Sequence, residues 1–324
     1  MSGTKYTYAV ARIRALELSL FSSAVIEQLL ANKTYEGCLQ FLAERGWGDA
    51  DTPMEAEAIL AREEEKTWNV VKDLLGGEKE ILAVLSYPKL YHNLKAALKA
   101  SVRSGVPARL YFEDCEIGGR EMERIVQERA WDALPNHMQA AAREAYESYL
   151  HTGDGQLCDI IVDKAALEAI YQTGQAAEDA IIREYAESTV AVADIKIAVR
   201  AQKTGKSLDF MKRAMAECKS LNIDRLAAAA LSGSEAICSY LETTAYAGGA
   251  QALKEASSAF ERWCDNQLIE TIKPQKYNPF TAGPLVAYVL ARQNEIKTVR
   301  IVLTARQNSL PEEQIRERIR EMYV

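Results

Sequence analysis

Asn93-Leu94-Lys95, Asp194-Ile195-Lys196 and Glu295-Ile296-Lys297 are three copies of one short pattern: a carboxylate or its amide, then Leu or Ile, then Lys. The first residue of each copy lies 101 residues from the first residue of the next, and the pattern occurs nowhere else in the chain. Equal spacing of this kind implies one module used three times. Each copy runs on as helical sequence for two to three turns and then meets a breaker: Gly105, Gly205 or Asn308. Val106-Pro107, Lys206-Ser207-Leu208 and Ser309-Leu310-Pro311 follow, each able to restart a helix. In the third copy Ser309 is expected to cap, with Pro311 in the first turn and Glu312 and Glu313 complementing the positive helix end.

At 324 residues the chain exceeds one hydrophobic core and implies two or three domains. With 17 Gly and 8 Pro it has little material for the tight turns of a β-rich fold, whereas helix formers abound. The expected fold is all-α, in three similar domains: 1–118, 119–222 and 223–324. Predicted helices run over Tyr8 to Leu30, Tyr35 to Glu44, Met54 to Leu75 and Glu78 to Arg103. The third of these carries Glu63-Glu64-Glu65 as an exposed acidic run, and the fourth is kinked near Pro88. Tyr111 to Glu116 reads as an extended connector. Further helices are expected over Arg120 to Asp132, Pro135 to Leu150, Lys164 to Tyr171, Gln175 to Thr204, Leu208 to Leu221, Arg225 to Leu231, Ser234 to Ala247, Gly249 to Ile272, Pro284 to Thr304 and Pro311 to Met322. Lys273 to Pro279, with two prolines, is a turn.

A formal net charge of −7 supplies no basic field for a phosphate backbone, so nucleic acid is not an expected partner. The six cysteines form no Cys-x-x-Cys pair and read as reduced core residues of a cytosolic protein. Arg12, Arg14 and Glu17 interrupt the N-terminus where a signal peptide needs an apolar core. The longest apolar runs reach about a third of the ~20 residues that cross a bilayer.

No constellation in the sequence carries chemistry. His92, His137 and His151 lack the partners of a helical di-metal or zinc-protease site. Thr204-Gly205-Lys206-Ser207 resembles the end of a phosphate-binding loop, but Arg200 stands where that loop needs glycine, and a helix precedes it instead of a strand. Glu113-Asp114-Cys115-Glu116 lacks the glycine and spacing of a calcium loop. No catalytic residue, metal, cofactor or bound nucleotide is expected.

Three longer segments carry a family resemblance. They are Pro284-Leu285-Val286-Ala287-Tyr288, Arg292-Gln293-Asn294-Glu295-Ile296-Lys297-Thr298-Val299-Arg300-Ile301-Val302-Leu303, and Leu310-Pro311-Glu312-Glu313-Gln314-Ile315-Arg316-Glu317-Arg318. Together they resemble the C subunit of the archaeal and bacterial V/A-type rotary ATPases, whose eukaryotic counterpart is the d subunit. Tyr8 to Ala15 is similar to that family's opening helix, and Tyr91-His92-Asn93-Leu94-Lys95, with Ala100 and Gly105, to its first-domain signature. Departures are the second copy, Asp194 to Gly205, and Arg45-Gly46-Trp47, where many members place threonine and tyrosine before the glycine.

The resemblance implies a funnel of three helical domains about a pseudo-threefold axis. Such a protein is a non-catalytic socket between the central-shaft subunits D and F and the proteolipid rotor ring. It transmits torque for ATP-linked proton or sodium transport, peripheral on the cytoplasmic face of the membrane. Pseudo-symmetry would set the repeated cations Lys95, Lys196 and Lys297, together with Arg300, around one opening as partner-binding residues. The same cations suit contacts between domains or a solvated face at least as well. A helical-repeat adaptor that binds peptides in a concave groove is the alternative from another class.

Overall fold

The computed structural model describes residues 5–76, 79–102 and 111–324. Gly77, Glu78 and the Gly105 to Pro107 break therefore lie outside the described residues. Among those described, regular structure is entirely helical, as the composition implied. The α-helices are α1 (Thr7–Glu17), α2 (Ser23–Ala31), α3 (Tyr35–Glu44), α4 (Ala56–Leu75), α5 (Ala83–Val102), α6 (Gly119–Glu128), α7 (Asn136–Thr152) and α8 (Gly155–Ala176). They continue as α9 (Ala180–Lys203), α10 (Leu208–Ala214), α11 (Ile223–Ser232), α12 (Ser234–Leu241), α13 (Ala247–Glu255), α14 (Ser257–Ile272), α15 (Gly283–Gln307) and α16 (Glu312–Arg316). Each copy of the repeated pattern sits inside a long helix: α5, α9 and α15.

The residues group into two compact units, one of Met1–Ile81, Asp179–Tyr185 and Gly248–Val324, the other of Leu82–Glu178 and Ala186–Ala247. The first is built around α15, in which 18 of 25 residues are buried, the signature of a helix apolar on nearly every side. Ile296, Val299, Val302 and Leu303 of α15 share one cluster with Phe21, Ile26, Leu29, Leu42, Ile59 and Leu60. The two ends of the chain thus form a single core.

In the second unit α5 presents Leu90, Leu94 and Leu98, four residues apart and all fully buried, and packs with α6, α7 and α8. Buried Tyr91 bonds through its hydroxyl to the backbone carbonyl of His137 at 3.0 Å and lies 2.9 Å from Nδ1 of the same residue. Pro88 lies inside α5, which starts later than predicted, after a 3-10 turn over Lys79–Leu82.

Several expected helices are shorter or broken, each for a local reason. The predicted helix Tyr8 to Leu30 is two, because Ser22 caps α2 by accepting from the Val25 amide and the Phe21 amide leaves the helical ladder. The predicted helix Leu208 to Leu221 ends at Ala214, and residues 215–222 run extended to α11. The predicted helix Gly249 to Ile272 divides at Ala256 into α13 and α14. Ser309 does not cap. It takes a left-handed backbone at φ 54°, and Pro311 stands at the N-cap of the short α16.

Candidate functional site

The first residue of each repeated pattern is an anchor, buried to at most 1% exposure. Asn93 accepts from the backbone N–H of Phe112 at 2.9 Å and donates from Nδ2 to the carbonyls of Phe112 at 2.7 Å and Ile117 at 3.1 Å. It thereby holds the connection 111–118 that leads into α6, a run of bends where the sequence reading expects an extended connector. Asp194 accepts from the backbone N–H of Ala216 at 3.1 Å, holding the connection 215–222 that leads into α11. Glu295 accepts from the backbone N–H of Phe21 at 3.1 Å, in the turn that leads into α2. A carboxylate or amide suits these positions because the amides of Phe112, Ala216 and Phe21 lie outside the helical ladders, and a buried acceptor on the neighbouring helix supplies each with a partner. The Leu or Ile that follows is also buried in every copy.

Desolvation, outweighing the bond from the Ala216 amide and the attraction of Lys164, pushes the Asp194 carboxyl up to about 7. Glu295 is likewise pushed up by burial to about 7, against the pull of Arg292. Arg292 donates from Nη1 to Glu295 at 3.0 Å and from Nη2 to Glu63, all three side chains lying at most 6% exposed. One guanidinium serves two buried carboxylates, so it is held charged while Glu295, the deeper acid, is left under-compensated. Trp47 lies 5.0 Å from the guanidinium and 5.1 Å from the Phe21 ring. Glu63 also accepts from the Gly48 amide at 2.9 Å and from Lys66 at 2.7 Å.

This corrects the reading of Glu63 as part of an exposed run: Glu65 is exposed, Glu63 is core. The signal that separates them is the four-residue stripe Ile59, Glu63, Thr67 and Val71, all buried on one side of α4.

The sequence-predicted cations stand differently. Lys95 pairs with Asp163 at 2.7 Å and Lys297 with Asp265 at 2.7 Å. Arg300 meets both carboxylate oxygens of Glu57 at 3.2 Å. Lys196 is half-buried on α9. The side chains of Lys297 and Arg300 are 50% and 45% exposed. Asp265 also receives Arg320 at 2.6 Å, which ties the C-terminal residues to α14.

The decoys resolve into ordinary structure. Gly205 has φ 62° at the end of α9, and Ser207 caps α10 by accepting from the Phe210 amide, so Thr204 to Ser207 joins two helices. Asp114 pairs with Lys89. Among the described residues no cluster of three or more metal-binding side chains exists, and no helix is long and apolar enough to cross a membrane.

Residues 9–318 match the family described as ATP synthase (C/AC39) subunit. The C subunit of the V-type sodium ATPase of Enterococcus hirae is 22% identical over 96% of this chain and 97% of its own length. The C subunit of the A-type ATP synthase of Methanocaldococcus jannaschii is 23% identical over 96% of this chain and 85% of its own. The C subunit of the V-type ATP synthase of Thermus thermophilus is 23% identical, covering 97% and 98%. The matched span takes in most of α1, all of α2 to α16 and all three anchors, and on that basis the chain belongs to the ATP synthase (C/AC39) subunit family.

Proposed function

We propose that this chain is a non-catalytic part of the central stalk of a rotary V/A-type ATPase, a socket that couples the shaft of the soluble part to the proteolipid rotor ring. The observation that carries the reading is the family match across residues 9–318, joined by an internal period of 101 residues that places a buried anchor in each third of the chain. On this reading 1–118, 119–222 and 223–324 are three similar helical domains set about a pseudo-threefold axis. The protein sits at the cytoplasmic face of the membrane, binds no nucleotide, and passes torque in ATP-linked proton or sodium transport. Packed helices suit the stiffness this demands, because close-packed interiors deform little.

The shaft subunits D and F and the ring are its partners, and Lys95, Lys196, Lys297 and Arg300 are the contacting cations. The half-exposed side chains of Lys297 and Arg300 support this, since a rim cation can exchange an internal carboxylate for a partner's at small cost. The test is capture of the tagged chain from native membranes followed by mass spectrometry. Recovery of the shaft subunits and the ring is the expected result. Their absence, with intact ATPase in the same membranes, would overturn the reading.

A further inference from the structure

Asn93 and Asp194 do the same mechanical work with different chemistry. Each sits mid-helix and holds a residue seven positions before the next helix: Phe112 before α6 and Ala216 before α11. Asn93 is neutral and carries both functions, an oxygen that accepts from the connection and an NH2 that donates to two of its carbonyls. Asp194 has an oxygen in place of that NH2. Its Oδ1 accepts from Ala216, whereas Oδ2 is buried without a hydrogen-bond partner. Met215, Ala216 and Leu221 of the connection are buried as well.

We propose that Asp194 is a protonation-controlled latch: as the neutral acid it clamps the segment 215–222 against α9, and its ionisation loosens that segment. With a proton on Oδ2 the side chain regains the donor that Asn93 possesses. When the proton leaves to solvent, a negative charge is stranded at a fully buried position, and opening the segment is the route by which that charge reaches water.

The groups that face Asp194 do not relieve it. Lys164 of α8 attracts the carboxylate, but its ammonium is shared with the Lys212 carbonyl at 3.2 Å and with Glu168 at 3.9 Å. Cys218 of the segment is itself pushed up to about 11, by burial first and by Glu187 next, with Asp194 contributing. Glu187, two turns earlier on α9, anchors the other end of the segment by accepting from the Ser220 amide at 2.7 Å. The segment is therefore pinned at two points, and at Ala216 the cost of burying the Asp194 charge outweighs the bond that the amide makes to it.

The sign follows from the raised value. A carboxyl whose folded-state pKa lies above the ordinary 3.8 contributes closure that is complete in acid, and that is lost as pH rises from the ordinary range to about 7. Hydrogen exchange of the full-length chain between pH 5 and 7.5, corrected for intrinsic rate, reads this directly. Protection of 215–222 is expected to fall by about tenfold or more across that range, the tenfold-per-unit limit of a single titrating group being damped near its pKa. Peptide 111–118, held by the neutral Asn93, should stay level, and Asp194→Asn should hold 215–222 closed throughout.

A flat profile for 215–222 in the unaltered chain would overturn the proposal. So would an undiminished pH dependence in Asp194→Asn. Should that variant not fold, the contrast between 215–222 and 111–118 in the unaltered chain decides alone.

Discussion

Phe21 donates its backbone N–H to Glu295 Oε1 at 3.1 Å, joining residues 274 apart in sequence. In the first and second copies the anchor holds a connection about twenty residues downstream on the same chain segment. The third anchor holds the turn between α1 and α2. The turn that answers it lies far from it in sequence, and the core of the first unit draws on residues from both regions. Glu295→Ala should lower the stability of that unit by ~3–5 kcal/mol, because it orphans both the Phe21 amide and one side of a buried guanidinium. Glu295→Gln keeps an acceptor and should cost less than half as much. Urea unfolding read by Trp47 fluorescence distinguishes the two.

Arg292→Met is expected to be the most damaging single change in the chain. It leaves Glu295 without its cation beside Glu63, which keeps only Lys66, and both carboxylates are at most 6% exposed. Breaking a buried pair by removing one partner costs ~3–5 kcal/mol at neutral pH. Without Arg292, which lowers its pKa, the Glu295 carboxyl protonates more readily, so the variant should recover stability as pH is lowered toward 5. A loss that stayed constant from pH 5 to 8 would show that packing on Trp47, and not charge, is what Arg292 supplies.

For the unaltered chain, Glu295 has a raised folded-state pKa, so its favourable contribution is complete below the ordinary 4.5 and is lost as pH rises to about 7. Melting temperature should therefore decline from pH 5 to 7.5 instead of rising as for an exposed, paired carboxylate. Glu295→Gln should flatten the part of that slope that belongs to the first unit. A melting temperature that climbed steadily over the same range would contradict the assignment.

The all-helical class and the long helices α4, α5, α9 and α15 are legible in the sequence because apolar periodicity and helix formers agree over twenty or more residues. The 101-residue spacing is legible too, but its meaning is not. In the sequence the lysine of each copy stands out as a charge, whereas the structure gives the first residue the mechanical role. Burial of a polar side chain depends on what packs over it, and the connections 111–118 and 215–222 carry no period that announces them. Glu63 is harder to see: within Glu63-Glu64-Glu65 composition is uniform, and the stripe Ile59, Glu63, Thr67 and Val71 marks its face, but its charge partner Arg292 stands 229 residues on. The break between α1 and α2 has a local part, the Ser22 cap, and a tertiary part, the bond of the Phe21 amide to Glu295, and only the first stands in the sequence nearby.

Gly249 in α13 faces the ring of Trp263: a Cβ there would meet Cη2 and Cζ3 at 2.8 Å. A rigid indole stacked on Phe260 at 6.1 Å has little room to give. Gly249→Ala should therefore destabilise the first unit by ~1–3 kcal/mol, the usual cost of overpacking, even though alanine is the better helix former. Gain of stability in thermal unfolding would mean that the ring shifts freely and that the close approach is not a constraint.

Lys95, Lys297 and Arg300 separate folding from assembly. Their carboxylate partners Asp163, Asp265 and Glu57 are near at hand, but the cations are 26%, 50% and 45% exposed, so each pair contributes at most ~1 kcal/mol to folding. Reversing all three to Glu should leave the fold intact by circular dichroism, with a modest fall in melting temperature. If the proposed socket uses them, the same variant should lose the shaft subunits in capture from membranes, with a salt dependence weaker than that of the unaltered chain. Retention of shaft and ring by the triple variant would assign these cations to the pairs seen within each unit and would move the search for the contact surface elsewhere on the molecule. Asp265→Asn provides the internal control: it frees Lys297 and Arg320 without reversing a charge, so a lowered melting temperature there alongside unchanged assembly would confirm that the two roles are separable.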